Sequence, residues 1–246
     1  TMQRTLRLLS AAILAAIVAP VLAQQPAPPL KLSYPAAHRD TTVDTYFGAK
    51  VPAPYQWMDD LTSPQLRTWV EAENKLTDDY LAKIPVRGWI DHRLTELWNY
   101  QKEGTPEQLK NGTLFFGRNS GLQNQSVVYM QAPGAEPRVL LDPNKLSPDG
   151  STALAGVEPS PNGKYFAYAL LKGGSDWQTL HVLDVKTGKA LPDTVQWVKF
   201  SGISWTHDGK GFFYSRYPQP PSGEKAISQA VVNQKLYYHR LGTPQS

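Results

Sequence analysis

The chain has 246 residues, room for one large domain or two small ones, and its 41% hydrophobic content is enough for a packed core. It contains no cysteine, which excludes a disulfide framework and any thiolate-held metal. A formal charge of +4, with no basic run or stripe, argues against nucleic acid as a partner.

Met2 to Ala23 has the layout of a secretory leader. Arg4 and Arg7 make the charged start, Leu8 to Val18 an apolar core broken by Ser10, and Val21-Leu22-Ala23 a small-residue cleavage position with the cut after Ala23. The apolar run is too short for a membrane span. The expectation is a periplasmic or secreted protein with no membrane attachment once the leader is gone. Losing Arg4 and Arg7 takes the formal charge from +4 to +2. Residues 24–33, with Pro26, Pro28 and Pro29, read as an extended tether.

Residues 34–60 read as irregular and aromatic, with Tyr46, Phe47, Tyr55 and Trp57 separated by Gly48, Pro52 and Pro54. Thr62-Ser63-Pro64 then offers a cap and a first-turn proline. Leu66, Trp69, Val70, Glu73, Leu76, Tyr80, Leu81 and Ile84 follow at steps of three or four, so that one helix face is mostly apolar, up to a stop at Pro85. A second helix is expected from Val86 to Asn99, with Ile90, Leu94, Leu97 and Trp98 facing inward. These elements define a segment 34–103, and from 104 to 246 the pattern is β.

Strands are expected at Leu114 to Gly117, Ser126 to Met130, Arg138 to Leu141, around Val157, at Tyr165 to Leu171 and at Leu180 to Val185. A proline-rich loop at Pro218 to Gln229 precedes another apolar run, Lys235 to Leu241. The stretch Ser160-Pro-Asn-Gly-Lys-Tyr-Phe-Ala-Tyr-Ala169 returns as Thr206-His-Asp-Gly-Lys-Gly-Phe-Phe-Tyr-Ser215, and a fainter copy sits at Asn111-Gly-Thr-Leu-Phe-Phe116. Asn-Gly or Asp-Gly supplies positive-φ residues for a tight hairpin turn, and the aromatic run after it is a strand. A turn-plus-strand unit recurring every ~46 to 51 residues is the mark of blades that bury their faces on one another. The fold expected is therefore mainly β with a helical N-terminal segment, the β part being the start of a β-propeller. Two and a fraction blades cannot close a ring, so the chain is expected to be truncated.

No Gly-x-Ser-x-Gly nucleophile elbow occurs; in Gly173-Gly-Ser-Asp176 the second glycine is replaced by Trp177. Ser175, Asp176 and His181 thus read as a turn and a strand rather than a triad. His38, His92, His207 and His239 are scattered without paired-ligand spacing, so neither metal nor cofactor is expected. Lys199 and Arg216 read as solvated edge charges.

Ordered motifs along the chain resemble the prolyl oligopeptidase family of serine peptidases. They include Tyr34-Pro35, Arg39-Asp40, Asp44-Thr-Tyr46, Trp57-Met-Asp-Asp60, Trp69-Val-Glu-Ala-Glu-Asn74, Gly121-Leu-Gln-Asn-Gln125 and Leu141-Asp-Pro-Asn144. Gly174-Ser-Asp-Trp177, Val198-Lys-Phe-Ser-Gly202, Asp208-Gly-Lys-Gly-Phe-Phe-Tyr214 and Asn233-Gln-Lys-Leu-Tyr-Tyr-His239 continue the resemblance. It implies a seven-bladed propeller joined to an α/β-hydrolase domain with which the N-terminal helices belong, and cleavage of short peptides on the carboxyl side of proline. The propeller would gate access, and the catalytic serine, aspartate and histidine would lie beyond the end of this chain. The partners implied are short proline-containing peptides and the chain's own C-terminal hydrolase domain.

By the same resemblance Phe200 would line a pocket for a substrate residue upstream of proline, where blade packing is the alternative role. Asp176 would face the cavity and pair with an arginine of the hydrolase domain, where a solvated turn carboxylate is the alternative. Two other readings stay open: a propeller used only for binding, and a related oligopeptidase that cleaves after basic residues.

Overall fold

The computed structural model describes residues 32–221 and 231–245; the leader, nearly all of the tether and most of the 218–229 loop lie outside them. The chain divides into two compact units, one up to Arg87 and one from Gly88.

In the first unit, residues expected to be irregular form a hairpin of β1 (Val43–Tyr46) and β2 (Ala49–Pro52). Its two-residue turn has Phe47 at φ 51 and Gly48 at φ 84. Nothing in the sequence signalled it, because phenylalanine is a poor host for positive φ. Helix α1 spans Pro64–Leu81 and begins as expected: Ser63 is extended and its Oγ accepts the Leu66 N–H at 3.3 Å. It ends before Pro85, its last carbonyls being taken up by the N–H groups of Ala82, Lys83 and Ile84. Leu66 is its buried residue; Leu76, Tyr80 and Ile84 line a groove with Leu32 and Pro85.

The second unit opens with α2 (Arg87–Trp98), close to the expected bounds. Its supposed inner face is exposed: Ile90, Leu94, Leu97 and Trp98 all stand in solvent. The strands then build antiparallel blades. In the first, β3 (Lys102–Glu103) and β4 (Glu107–Gln108) lie end to end beside β5 (Leu114–Asn119), followed by β6 (Val127–Gln131) and β7 (Arg138–Leu141). The second is a meander of β8 (Thr152–Pro159), β9 (Tyr165–Lys172), β10 (Gln178–Asp184) and β11 (Ala190–Val198). A third begins with β12 (Ser204–Trp205), β13 (Gly211–Arg216) and β14 (Lys235–Arg240). Strand β11 was not anticipated; Pro192 and Asp193 interrupt its apolar pattern.

The repeated sequence makes the same turn each time. Gly163 N–H donates to Ser160 O at 2.8 Å and Lys164 N–H to Asn162 Oδ1 at 3.0 Å. Gly209 N–H donates to Thr206 O at 2.9 Å and Lys210 N–H to Asp208 Oδ1 at 3.0 Å. The faint copy repeats it, with Thr113 N–H donating to Asn111 Oδ1 at 3.0 Å. The turn type differs from expectation in one respect. Only the glycines have positive φ, because the preceding Asn or Asp uses its side chain to fold the backbone in an Asx turn.

Strand β9 shows why the blades need one another. Phe166 and Tyr168 point to one face and Ala167 and Ala169 to the other, and all four are buried. The large pair packs with Phe115, Val128, Met130 and Leu140 of the first blade, Phe166 stacking on Phe115 at 5.5 Å. The small pair admits Phe212 and Tyr214 of the third, with Val195 and Val198. Each large side chain so buried contributes roughly 1.5–3 kcal/mol.

Candidate functional site

Successive strands reverse direction, so the Asn111-Gly112, Asn162-Gly163 and Asp208-Gly209 turns share one end of the blades. Segments 119–126, 142–151, 173–177 and 199–203 share the other. At that second end, Gln125 and Asn144 are structural. Gln125 donates from Nε2 to Thr152 O and accepts from Leu154 N–H, both at 2.8 Å, as a strand neighbour would. Asn144 holds the Gln125 backbone from both sides, at 3.0 and 2.9 Å. Two of the sequence's more distinctive motifs thus tie the first blade to the second.

The other segments carry the candidate site. The β9–β10 connection passes through Gly173 and Gly174, both at positive φ, and delivers Asp176 and Trp177. Strand β11 delivers Trp197, and the turn after it Lys199 and Phe200. The fold brings Asp176 and Phe200 together through Lys199. Its Nζ is 3.7 Å from Asp176 Oδ2 and 5.2 Å from the ring centres of both Trp177 and Phe200. Trp177 in turn meets Trp197 and Tyr217 edge-on at 6.0 and 5.9 Å.

Strain collects at this place. Trp197 (φ 62), Phe200 (φ 54) and Asn233 (φ 61) are three of the four non-glycine residues at positive φ among those described. Bulky side chains resist that region, and such outliers gather where a side chain must be presented rather than packed. The backbone is held by Gln234 Nε2, which donates to Lys199 O at 3.1 Å, and by Ser201 Oγ, which accepts Ser215 N–H at 2.8 Å.

Phe200 is 68% exposed and is not among the residues of the two buried clusters between blades. Asp176 is also solvent-facing. Lys199 departs from the expected solvated charge: its side chain is only 15% exposed, because two rings and a carboxylate enclose its stem and head. Arg216 departs likewise, lying over the Tyr237 ring at 4.3 Å. No signal marked Lys199 in the sequence beyond the tryptophans and phenylalanine near it in two separate segments.

Ser175, Asp176 and His181 do not act together. Ser175 Oγ accepts Trp177 N–H at 3.2 Å, Asp176 pairs with Lys199, and His181 stacks on Tyr168 at 5.4 Å. Burial lowers the His181 pKa below the usual imidazole value and raises that of Tyr168. Among the described residues no cluster of histidine and carboxylate groups could hold a metal ion, and no helix is long and apolar enough to cross a membrane.

The family described as "Prolyl oligopeptidase, N-terminal beta-propeller domain" matches residues 34–246. The prolyl endopeptidase of Elizabethkingia meningoseptica is 43% identical over 215 residues, covering 87% of this chain and 30% of that protein. A solved structure from a structural and mechanistic study of two prolyl endopeptidases superposes with a TM-score of 0.72 at 34% identity, over 86% of this chain and 31% of that one. Prolyl oligopeptidase B of Galerina marginata, bound to a 25mer macrocyclization substrate, gives 0.69 at 33% identity, over 85% and 32%. The chain therefore spans about 30% of the length of the relatives it matches.

Proposed function

Since this chain belongs to the prolyl oligopeptidase family, as its N-terminal β-propeller region, we propose that it serves a serine endopeptidase that hydrolyses short peptides on the carboxyl side of proline. The observation that carries this is the family match along residues 34–246 together with 43% identity to a prolyl endopeptidase. In this reading the blades gate access to an active site supplied by an α/β-hydrolase domain of the same polypeptide. There serine attacks the prolyl carbonyl, histidine moves the proton and an oxyanion hole stabilises the intermediate. In this reading the catalytic serine, aspartate and histidine belong to that hydrolase domain, and the present chain is expected to be inactive alone. Phe200 and Asp176 contact the substrate side of the gate. Export, with cleavage after Ala23, belongs to the same reading, and intact mass of the exported product tests it.

The test of the activity compares chromogenic amides of blocked Gly-Pro, Gly-Ala and Gly-Arg with the gene product that carries this chain. Turnover confined to the prolyl substrate is expected. Preference for the arginyl amide would move the protein to the basic-specific oligopeptidases, and no turnover of any would leave a binding propeller.

A further inference from the structure

Lys199 fills a cation site that its own surroundings build. Two aromatic rings at 5.2 Å and a carboxylate at 3.7 Å surround one ammonium group. Such an arrangement of rings and carboxylate also suits the cationic group of a ligand. The cation is tucked in, while the Asp176 carboxylate and the Phe200 ring remain open to solvent. Lys199 and Asp176 offset one another in charge, where without the lysine the Asp176 carboxylate would stand beside two rings with no cation between them.

We propose that Lys199 is a charge-specificity residue: by occupying the cage of Asp176, Trp177 and Phe200 it keeps that surface from accepting a basic side chain of a bound peptide. The inference rests on the peptide-acting reading above. Replacing Lys199 with methionine keeps an unbranched stem and removes the charge, leaving the carboxylate and both ring faces to a ligand cation. Replacing Asp176 with asparagine does the opposite, leaving the lysine charge uncancelled.

The experiment measures kcat/KM in the gene product that carries this chain, using two peptides that differ only in Lys or Gln two places before the proline. Lys199→Met is expected to shift the Lys-to-Gln ratio upward by roughly fivefold, the scale of one partly exposed ion pair or ring contact. The shift should shrink in about 1 M salt, where charges are screened within about 3 Å. Asp176→Asn should shift the ratio downward, and Lys199→Arg should restore the original value. A purely structural lysine would lower both constants together; an unchanged ratio in Lys199→Met overturns the proposal. Should that variant fail to fold, Lys199→Gln, which also removes the charge while keeping a polar head, takes its place, and an unchanged ratio there is equally fatal. If the unsubstituted enzyme turns over neither peptide, the peptidase reading falls and this inference with it.

Discussion

Asn162, in the turn of the second blade, lies against the α-carbon of Gly209, in the same turn of the third: a Cβ on Gly209 would stand 2.5 Å from Asn162 Nδ2. The relation recurs one blade earlier, where a Cβ on Gly163 would stand 3.2 Å from Asn111 Nδ2. Each turn glycine is therefore demanded twice, by its own positive φ and by the asparagine of the preceding blade.

Gly209→Ala should cost more than the ~1 kcal/mol of a left-handed alanine alone. Gly188 (φ 69), with nothing near its α-carbon, provides the comparison. Urea unfolding should place Gly209→Ala well below Gly188→Ala in stability, and adding Asn162→Ala should recover part of the gap. Equal losses for the two glycines would show that the contact between blades has no energetic weight.

His239 and Asp193 form a buried pair between the second and third blades, Nε2 to Oδ1 at 2.8 Å, and the same oxygen accepts Gly242 N–H at 2.8 Å. Both side chains are 2% exposed. Asp193→Ala leaves the buried His239 imidazole and the Gly242 N–H without their acceptor and should cost about 3 kcal/mol. Asp193→Asn retains an oxygen for one of them and should cost clearly less. Thermal or urea unfolding checks the order, and near-equality of the two variants would refute the account.

Partial desolvation raises the pKa of Glu158, with the nearby Glu107 carboxylate adding to the shift, and partial desolvation also raises that of Glu107. A carboxyl whose folded pKa lies above its unfolded value favours the folded state while protonated, and that contribution disappears as pH rises through the folded pKa. Glu158→Gln should therefore raise Tm at pH 7 to 8, with the gain fading as pH falls below the carboxylate range. A loss of Tm at neutral pH would mean that the charge is compensated.

Phe200→Ala should leave stability within about 0.5 kcal/mol, as for an exposed side chain. Under the proposed function the specificity constant should nonetheless fall, by roughly 10- to 200-fold for one apolar contact. The fall should be largest for peptides with a bulky residue two places before proline and nearly absent for blocked Gly-Pro. A lowered Tm with every substrate affected alike would assign the ring to packing.

What the sequence determined by itself was local. Ser63-Pro64 starts α1 because a cap and a first-turn proline need only their immediate neighbours. The Asn-Gly and Asp-Gly copies make matching turns because each is closed by hydrogen bonds within five residues, and their spacing announces the blades. The tertiary structure decided what depends on partners far along the chain. Asp193 looked like an interruption of a strand, yet it is a core residue because His239 lies opposite it. The apolar face of α2 is legible in the sequence, but within this chain it is exposed, since periodicity reports a face and not what covers it. Lys199 looked like a surface charge; its neighbour Phe200 and, from a distant segment, Asp176 and Trp177 enclose it, and only folding brings those two segments together.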